Sequence, residues 1–333
     1  MAGTLLEVKT KMTTVLITGG AGFIGSRVAD ILKKRGHEVV IVDKALHADH
    51  PHNIDLQDPE SVGQLVNIAI TNKVDVFLHL AAQVGGGRFL ADNEWEICSH
   101  NVWCDTNVME AFLQCRIAER FVYTSSSMVF QNGTSPCVEK DTDNVRIPPP
   151  TNNYGFTKLQ GERLTKMMCQ KYDREYVIGR PFNVYGPGEL SHLEEEYGVS
   201  HVIPDFHRKI RLLKEGKADV MQVFGNGEQS RSFTWVEDTA NAFALMCIDP
   251  DVANETFNIA SEENITMTEL ALTIARMLDY PIEITYLNPW PGDTNQRVPD
   301  TSKIRRKLGW QPMVPFSTGL GRTLDWLDEN WSE

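Results

Sequence analysis

Short apolar runs alternate with amphipathic stretches along the first half of the chain. Four nearly continuous hydrophobic runs predict strands that are buried on both faces, and these begin at residues 15, 38, 74 and 121. Between and after them, apolar positions recur at helical spacing over residues 26–35, 59–72, 94–119 and 154–172, with Gly36 as the C-cap of the first helix. This alternation predicts a parallel sheet covered by helices, with ligands at the carboxyl ends of its strands.

The second half of the chain follows a less regular pattern. Pro, Thr and Asn are concentrated over residues 131–151, which predicts a loop, and a further strand ends at Pro181. Beyond Pro187 we expect a long loop, a helix over residues 204–213, and then short strands and turns. No repeat or low-complexity linker separates the halves. We therefore expect two interleaved lobes, residues 13–182 (with parts of 230–260 returning to them) and residues 183–333.

The composition is that of an ordinary globular protein, with 41% hydrophobic and 23% charged residues among 333. A net charge of −13 argues against a nucleic-acid partner, because phosphate binding favours a basic face. None of the six cysteines forms a CxxC pair, so we expect reduced thiols rather than a zinc site or a redox pair. No apolar run has membrane-spanning length, and the first twelve residues are too polar for a secretory signal. These features predict a cytoplasmic protein without a membrane partner.

A glycine-rich turn joins the first predicted strand to the first predicted helix. Its sequence, GGAGFIG, places glycines at positions 19, 22 and 25. Gly19 permits a tight turn, Gly22 lets the backbone approach a pyrophosphate, and Gly25 allows close packing of the helix. The helix N-terminus adds backbone amides and a partial positive charge. In this strand–turn–helix context the pattern predicts a dinucleotide-binding site rather than a plain turn.

An acidic residue after the second strand predicts which dinucleotide binds. Asp43 ends that strand about twenty residues beyond the glycines, where its carboxylate can accept a hydrogen bond from a ribose 2′-hydroxyl and would repel a 2′-phosphate. NAD is therefore favoured over NADP, although the adjacent Lys44 softens the repulsion. Asp55 lies where a loop can meet the adenine edge, and the alternative for it is a simple turn carboxylate.

Candidate catalytic residues follow in the sequence YGFTK. Tyr154 and Lys158 lie four residues apart, on one face of a predicted helix. A phenol with a pKa of about 10 is a poor base at neutral pH. A lysine cation one turn away, together with a positive nicotinamide ring, would lower the pKa of Tyr154 and favour the phenolate. A serine of the cluster TSSSMVF, at the end of the fourth strand, can hydrogen-bond the same substrate oxygen.

Six motifs occur in a fixed order between residue 15 and about residue 240: GGAGFIG, HLAA, TSSSMVF, YGFTK, RPFNVYGPG and RSFTWVEDTA, with GDTNQRVPDTSKIRRKLGW later. In this order they resemble the extended short-chain dehydrogenases/reductases of the NDP-sugar epimerase/dehydratase family. The resemblance implies an α/β fold, a Rossmann-type doubly wound parallel sheet that binds NAD, with a smaller C-terminal substrate-binding α/β lobe. The residues it places at the cofactor are Gly19, Gly22, Phe23, Ile24, Gly25, Asp43, Asp55, Leu56, Leu80, Ala81, Ala82, Tyr154 and Lys158.

Three residues before the Tyr–Lys pair narrow the reactions that the resemblance allows. Ser126 takes the catalytic Ser/Thr position. The 4,6-dehydratases place an Asp–Glu pair where this chain has Ser127 and Met128, so elimination of water is not expected. The GDP-mannose 3,5-epimerase and GDP-fucose synthase groups place a catalytic Cys at Met128, and methionine has no ionisable proton. The segment AAQVGG (residues 81–86) nevertheless resembles the GDP-fucose synthase group, and the sequence leaves this conflict open.

The resemblance also implies a site for the substrate diphosphate, which requires cations and amides. Asn183, Arg231 and Arg297 match family positions that contact the diphosphate, and a surface ion pair is the alternative for each arginine. Val202 is expected near the nucleotide base. The substrate-side residues implied are Gln83, Ser127, Met128, Asn183, Val202, Arg231 and Arg297.

Several other reactive side chains have two interpretations each. His192 and His201 belong to an acidic loop that either approaches the sugar or is simply solvated. Cys137 is either an acid delivered to the site or a structural thiol. Three histidines at positions 47, 50 and 52 suggest a metal, but no carboxylate or cysteine spacing supports one, so no metal site is expected.

Apolar residues on two predicted helices bear on assembly. They are Trp103, Val108, Phe112, Leu159, Leu164 and Met168. In this family such helices pair across a two-fold axis as a four-helix bundle, so the resemblance implies a homodimer. A wholly internal core is the alternative.

The expected activity is NAD-dependent 4-epimerisation of a nucleotide-diphosphate sugar through a transient 4-keto sugar. Tyr154 acts as base and then acid, Lys158 tunes it, and Ser126 orients the oxygen. An NAD(P)H-dependent 4-keto-sugar reductase, a combined 3,5-epimerase/reductase of a GDP-sugar, or another NDP-sugar dehydratase stays open as an alternative. So does an NAD-sensing binding protein, against which the intact Ser–Tyr–Lys set argues.

Overall fold

A computed structural model describes residues 12–130, 136–143, 150, 152–189, 198–289 and 296–331. Its strands are β1 Thr14–Thr18, β2 Glu38–Val42, β3 Val76–His79, β4 Arg120–Thr124, β5 Glu175–Pro181, β6 Val184–Tyr185, β7 Met221–Phe224, β8 Ser230–Ser232, β9 Thr234–Trp235, β10 Glu255–Ile259, β11 Asn264–Thr266 and β12 Ile284–Leu287. Its helices are α1 Gly25–Lys34, α2 Ser61–Thr71, α3 Gly87–Asp92, α4 Glu94–Gln114, α5 Asn153–Lys171, α6 Val202–Lys214, α7 Val236–Ile248, α8 Met267–Met277, α9 Ser302–Leu308 and α10 Phe316–Glu329.

Six parallel strands form the central sheet, in the order β10-β5-β4-β3-β1-β2. The order reverses beside β1, so helices cover both faces and the expected Rossmann-type doubly wound fold is confirmed. In the register of β1 and β3, Thr18 lies beside His79. In the next pair His79 lies beside Tyr123. Three neighbouring strand ends therefore present polar side chains at the same edge of the sheet.

Two apolar layers enclose the sheet. On one face, buried side chains of α2, α4 and α5 pack together, including Val108, Phe112 and Met168. On the other face, α1 and α7 pack with the segment after α9, and Phe243 and Trp310 are buried there. The strands are apolar on both sides because both sides are covered, which is why their sequence shows no alternation.

A third apolar cluster builds the C-terminal lobe around α6, α8 and α10. The expectation of only short strands and turns after residue 213 is wrong, because α7, α8, α9 and α10 lie there. Nine of the thirteen residues of α7 are buried, so its sequence lacks the polar face that would reveal a helix. The strand β10 pairs with β5 and so joins the first sheet. The lobe boundaries 13–182 and 183–333 stay a prediction.

Smaller differences concern helix ends. The helix expected over residues 94–119 ends at Gln114, and residues 115–119 form the turn that leads into β4. The short helix α3 was not expected from the sequence. Arg35 is the C-cap of α1, and Gly36 directly after it has a φ of 82°, the left-handed conformation in which many helices end. Within the described residues, no helix is long and apolar enough to cross a membrane.

The apolar residues that suggested a dimer face divide into two groups. Val108, Phe112, Leu159 and Met168 are buried, so for them the alternative of an internal core is correct. Leu164 is half-buried against the same core. Trp103 is 53% exposed, and the other exposed large apolar side chains of α4 and α5 are Trp95, Phe156 and Met167.

Candidate active site

Two glycines of the turn after β1, Gly19 and Gly25, leave no room for a side chain. Gly19 has a φ of 72°, and a Cβ there would lie 2.7 Å from the Ala81 amide nitrogen. At Gly25 a Cβ would lie 2.1 Å from the Gly19 carbonyl oxygen. Gly25 is therefore needed because α1 begins directly against the turn itself. At Gly22 the nearest atom, the Gly19 oxygen, would be 3.2 Å away, which leaves the outer side of the turn to a ligand.

The start of α1 fits a pyrophosphate. Ile24 occupies its N-cap without a side-chain hydrogen bond, and no acidic residue lies in its first turn. The positive end of the helix is therefore not compensated locally by a side chain. Phe23, which precedes it, stacks under the Arg27 guanidinium with 5.0 Å between the guanidinium carbon and the ring centroid. The backbone of this turn would hold the NAD phosphates.

Asp43 lies at the edge of the same turn. Its carboxylate accepts hydrogen bonds from the amides of Ala21, at 3.0 Å, and Ala45, at 2.9 Å. The carboxylate is thereby held beside the turn, where a ribose is expected. Lys44 contacts His100, with 3.4 Å between Nζ and Nε2. The Lys44 ammonium group therefore contacts a side chain of α4.

Asp55 and Leu56 occupy different environments. The Asp55 carboxylate accepts from the Gln57 amide at 3.0 Å, and the residue is exposed. This contact supports the turn-carboxylate interpretation. Leu56 is buried, and its carbonyl accepts from Asn107 Nδ2 at 2.8 Å.

Leu80, Ala81 and Ala82 follow β3 and run alongside the glycine turn. The Leu80 amide donates to the Thr18 carbonyl at 3.0 Å, which ties the two segments together. The next residue, Gln83, is held by Asn101: its amide donates to Asn101 Oδ1 at 2.7 Å, and its carbonyl accepts from Asn101 Nδ2 at 3.0 Å. Sequence reasoning missed Asn101.

Ser126, Tyr154 and Lys158 come together at the end of β4 and the first turns of α5. Tyr154 hydrogen-bonds the Ser126 side chain. Lys158 Nζ donates to the Thr124 carbonyl at 3.0 Å, and its side chain is 2% exposed. Ser126 and Tyr154 are also buried. The predicted catalytic set is therefore assembled within one small volume at the carboxyl edge of the sheet.

Local sequence fixes where α5 begins. Asn152 is its N-cap, and its side chain accepts from the Gly155 amide at 2.6 Å. A Cβ at Gly155 would lie 2.6 Å from the Met128 carbonyl oxygen. The glycine after Tyr154 thus lets the first turn of α5 pack against the backbone of residues 127–130.

Burial sets the ionisation of the catalytic pair. It raises the pKa of Tyr154 to about 12, while the Ser126 hydrogen bond lowers this pKa and the Asp105 charge raises it. Burial also lowers the pKa of Lys158, and Asp105 acts in the opposite direction. The protein's own field therefore does not lower the pKa of Tyr154, contrary to the expectation from the lysine alone. The remaining contribution expected to favour the phenolate is a positive nicotinamide ring.

A buried polar chain runs beneath this set, and the sequence analysis missed it. Asp105 Oδ1 lies 3.0 Å from His79 Nε2, and its Oδ2 accepts from the Tyr123 hydroxyl at 2.6 Å. His79 Nδ1 in turn lies 2.7 Å from the Thr18 hydroxyl. An aspartate among the apolar positions of a predicted helix was the available signal, because such a carboxylate must find buried partners.

A second buried ion pair flanks the site. Arg180 on β5 makes a two-pronged contact with Glu162 on α5, with both nitrogen–oxygen distances at 2.7 Å. Both side chains are almost fully buried. Arg180 also donates to the Glu139 carbonyl and to the Thr142 hydroxyl. The pair therefore ties α5, one helical turn beyond Lys158, to β5 and to residues 139–143.

Ser127 and Met128, which the sequence predicts to contact the substrate, carry no ionisable group. Ser127 is buried and Met128 is half-buried. Arg297, which is 3% exposed, approaches Met128 with 3.1 Å between Nη1 and Sδ. Two residues assigned to the substrate from distant parts of the chain therefore meet. Neither Ser127 nor Met128 supplies the acid or base that dehydration requires.

The other residues predicted to contact the substrate lie around β8 and α6. Asn183 has a φ of 30°, and its side chain donates to the Ser232 carbonyl at 2.9 Å. Arg231, on β8, donates to the Ser230 carbonyl at 2.8 Å. Val202 is the first residue of α6.

The glycines of AAQVGG have a packing role. A Cβ at Gly86 would lie 2.2 Å from the Ser200 carbonyl oxygen, and the Gly86 amide donates to the Val199 carbonyl at 2.7 Å.

His201 lies 2.6 Å from the Glu189 carboxylate. Burial alone would lower the pKa of His201, but Glu189 holds it above its usual value. His192 lies outside the described residues.

Cys137 lies in a small apolar cluster rather than at an open surface. Its neighbours include Phe130, Leu159 and Phe182. Burial raises the pKa of its thiol to about 11, despite the opposing charge of Arg297. These surroundings favour the structural-thiol interpretation. Over the described ranges, no three His, Cys, Asp or Glu side chains are grouped to hold a metal ion.

Comparison with known proteins places this site in a family. A model of the NAD dependent epimerase/dehydratase family matches residues 15–260. The chain therefore belongs to this family and is an NAD-dependent enzyme. The glycine turn, the uncapped start of α1 and the carboxylate of Asp43 fit the cofactor that the family uses.

Relatives of several activities cover nearly the whole chain. It is 31% identical over 335 residues to UDP-N-acetyl-alpha-D-glucosaminuronate decarboxylase of Bacillus cytotoxicus, covering 94% of this chain and 97% of the relative. It is 29% identical to GDP-mannose 3,5-epimerase 1 of Oryza sativa subsp. indica, covering 95% and 82%. UDP-glucose 4-epimerase of Thermotoga maritima has a similar structure, with a TM-score of 0.79, 26% identity and coverage of 96% and 99%.

Proposed function

We propose that the protein epimerises a nucleotide-diphosphate sugar at C4 through a transient 4-keto sugar. The observation that carries this proposal is the buried Ser126–Tyr154 pair above Lys158, next to two substrate-side residues, Ser127 and Met128, that carry no acid or base. Oxidation and reduction at one carbon need only Ser126, Tyr154 and Lys158. Dehydration and 3,5-epimerisation need an acid or base that this part of the site does not provide.

Each residue of the site has a role in this reaction. Tyr154 takes the proton of the C4 hydroxyl and later returns a proton to the C4 oxygen. Ser126 hydrogen-bonds that oxygen and fixes its distance from the ring carbon. Lys158 supplies a positive charge that stabilises the Tyr154 phenolate. Bound NAD supplies the hydride acceptor and donor. Asn183, Arg231 and Arg297 bind the diphosphate, and Gln83 and Val202 contact the sugar and base.

Decarboxylation of a nucleotide-diphosphate uronate is a second candidate. It is favoured by the relative that is 31% identical over almost the full length of both chains. Oxidation at C4 of a sugar with a carboxylate on C5 gives a β-keto acid, which loses CO2 without an added acid–base pair. The absence of ionisable groups at Ser127 and Met128 is compatible with this reaction as well.

The alternatives based on AAQVGG receive less support. The close approach of Gly86 to the Ser200 carbonyl and of Gly85 to the Phe89 ring gives the two glycines a packing reason. Their presence therefore does not favour a 3,5-epimerase/reductase, and Met128 lacks the proton which that chemistry needs. An NAD-sensing protein without activity would not need the complete Ser–Tyr–Lys set.

The products of one incubation distinguish these reactions. The NAD-loaded protein is incubated with UDP- and GDP-linked hexoses and hexuronates, and products are followed by mass spectrometry and proton NMR. A product of unchanged mass with an inverted C4 coupling pattern supports 4-epimerisation. Loss of CO2 supports the second candidate. Loss of water, or net consumption of reduced cofactor, would overturn both.

Tyr154→Phe tests the role of the site. We expect turnover to fall by about 10²–10⁴-fold with NAD affinity nearly unchanged, because the phenol moves the proton but the turn holds the dinucleotide. Tyr172→Phe, at an exposed tyrosine just after α5, is the matched control and keeps full activity. Full activity in Tyr154→Phe would exclude the mechanism and favour a sensing role.

Assembly as a homodimer through α4 and α5 is part of the proposal. The exposed side chains of Trp95, Trp103, Phe156 and Met167 support it, because large apolar groups clustered on two helices gain by mutual burial. Light scattering on the protein at micromolar concentration is expected to give twice the chain mass, and Trp103→Glu a single chain mass. A monomeric wild-type protein would contradict the dimer. A cytoplasmic location stays a prediction.

A further inference from the structure

Asp105 is a carboxylate buried directly below the catalytic residues. It is 3% exposed, and it lies between His79 and Tyr123, which both hydrogen-bond it. Since a carboxylate only accepts hydrogen bonds, His79 donates to it from Nε2, and His79 Nδ1 lies against the Thr18 hydroxyl. Burial raises the pKa of Asp105, but the His79 hydrogen bond and the charge of Lys158 hold this pKa below its usual value. Asp105 is therefore a buried negative charge that requires a counter-charge.

Lys158 is the nearest candidate for that counter-charge. Its Nζ lies 5.2 Å from the centroid of the Tyr123 ring, whose hydroxyl binds Asp105. The ammonium group and the carboxylate therefore both contact the same phenol. The packing of α5 also depends on this arrangement, because a Cβ at Gly161 would lie 2.0 Å from the Tyr123 hydroxyl oxygen and 2.7 Å from Asp105 Oδ2.

The other groups around Lys158 do not replace Asp105. The titratable groups that act on Lys158 are Asp105 and Cys104 on α4, Glu162 on α5 and, through its ring, Tyr123 on β4. Tyr154 lies one helical turn before Lys158 on α5. Glu162 is already bound by Arg180. Burial raises the pKa of the Cys104 thiol to about 12, so this thiol is neutral at physiological pH. Asp105 is therefore the negative charge left to act on Lys158.

We propose that Asp105 is a positioning residue of the reaction, whose buried charge keeps the Lys158 ammonium protonated beneath Tyr154. The inference rests on the proposed function only in assigning proton transfer to Tyr154. Asp105 touches neither substrate nor cofactor, and acts through Lys158 and the Tyr123 ring. Its hydrogen bonds to strand residues also connect the charge to the segments that follow β1 and β3, which hold the cofactor.

The proposal predicts the direction of a pH effect. A nearby negative charge raises the pKa of a lysine and of a tyrosine alike, because it favours the protonated form of each. Burial lowers the pKa of Lys158 and Asp105 raises it, while Asp105 also adds to the raised pKa of Tyr154. Removing the Asp105 charge therefore lowers both values. Both limbs of a bell-shaped rate profile then move to lower pH.

Asp105→Asn is the direct experiment. The kcat profile of the NAD-loaded enzyme is measured from acid to alkaline pH with the sugar nucleotide that it converts. We expect both limbs to shift by about one pH unit toward acid. Asp238→Asn, which removes another buried helical carboxylate bound by two backbone amides, is the matched control and leaves the limbs in place. A loss of kcat in Asp105→Asn with an unshifted profile would mean a purely structural role.

Tyr123→Phe gives the opposite shift and does not depend on Asp105→Asn folding. It removes one hydrogen bond to the carboxylate but keeps the charge, so the negative charge acts more strongly on Lys158 and Tyr154. Both limbs are then expected to move toward alkaline pH. A profile that coincides with the wild type, or that moves toward acid, would overturn the proposal.

A second readout separates this inference from the proposed function. Ionisation of Tyr154 is followed by tyrosinate absorbance in NAD-loaded protein, as the difference between each variant and its Tyr154→Phe counterpart. The proposal predicts ionisation at lower pH in Asp105→Asn and at higher pH in Tyr123→Phe. This result would stand even if no sugar nucleotide were converted. Unshifted titrations in both variants would reject the role of Asp105 whatever the substrate.

Discussion

Two regions meet at the same edge of the sheet but are built in opposite ways. One is the glycine turn after β1, and the other is the floor, the buried charged residues Asp105, Glu162 and Arg180 near Tyr154. The turn uses backbone shape: Gly19 and Gly25 leave no room for a Cβ, and α1 has no side-chain cap. The floor uses buried charge: Asp105, Glu162 and Arg180 are almost fully removed from solvent. We therefore expect an added side-chain atom to disrupt the glycine turn, and the removal of one charge to destabilise the floor.

This difference separates two tasks. Backbone amides can hold a phosphate without titrating, so the turn works alike at any physiological pH. A proton-transfer site needs a controlled field, and a field from buried charges is strong because water does not screen it. Substitutions in the turn should therefore alter cofactor binding, whereas substitutions of the buried charges should alter stability and pH dependence.

Arg180→Met should be the most damaging to stability. It leaves Glu162 buried without its two-pronged partner, and we expect a loss of about 3–5 kcal/mol in the free energy of unfolding. Urea denaturation measures this loss. The double variant Arg180→Met with Glu162→Met should recover much of it, because no unpaired charge is left. A single variant that loses less than about 1 kcal/mol would contradict the importance of buried charge in the floor.

Gly25→Ala should break the turn. The added Cβ would lie 2.1 Å from the Gly19 carbonyl oxygen, so the backbone must shift. We expect about 1–3 kcal/mol of lost stability, together with at least about tenfold weaker NAD binding by calorimetry. Gly321→Ala on α10 is the control, because nothing lies within 4 Å of its added Cβ. Equal NAD affinity in wild type and Gly25→Ala would show that the turn tolerates the added atom.

Asp43→Asn should change cofactor choice with little effect on the fold. The carboxylate beside the turn favours NAD by repelling a 2′-phosphate, and its loss should reduce the NAD preference over NADP by about tenfold. Dissociation constants for both cofactors give the ratio. Asp49→Asn, at an exposed carboxylate on the following loop, should leave the ratio unchanged. An unchanged ratio in Asp43→Asn would remove Asp43 from the cofactor site.

Cys137→Ser should have the smallest effect on catalysis and cofactor binding. The thiol is buried in an apolar cluster and its raised pKa, about 11, keeps it protonated at neutral pH. We expect kcat within about twofold of the wild type and a stability loss of about 1–3 kcal/mol for the buried hydroxyl. Cys137→Ala separates the two contributions, since it adds no polar atom. A collapse of kcat in both variants at unchanged stability would make Cys137 an acid of the reaction.

Part of the fold was predictable because local patterns carry it. Most strands of the central sheet are short apolar runs in the sequence, and the spacing of the glycines predicts the turn after β1. Helix α7 was missed for the opposite reason, since it is buried nearly all round and shows no polar face. The burial of individual apolar helix residues was not predictable, because Val108 and Trp103 lie on the same helix and the sequence does not tell which one faces solvent.

The sequence by itself determined the family and the cofactor and predicted the Ser126–Tyr154–Lys158 set, because each depends on residues whose spacing is local and whose chemistry is specific. Only the tertiary structure revealed the charges that act on that set. Asp105 and Lys158 are far apart in the chain, and their coupling arises because α4 and α5 pack over the same strand end. Burial also raises the pKa of Tyr154, with a smaller contribution from the Asp105 charge, which is the reverse of the shift expected from Lys158 alone.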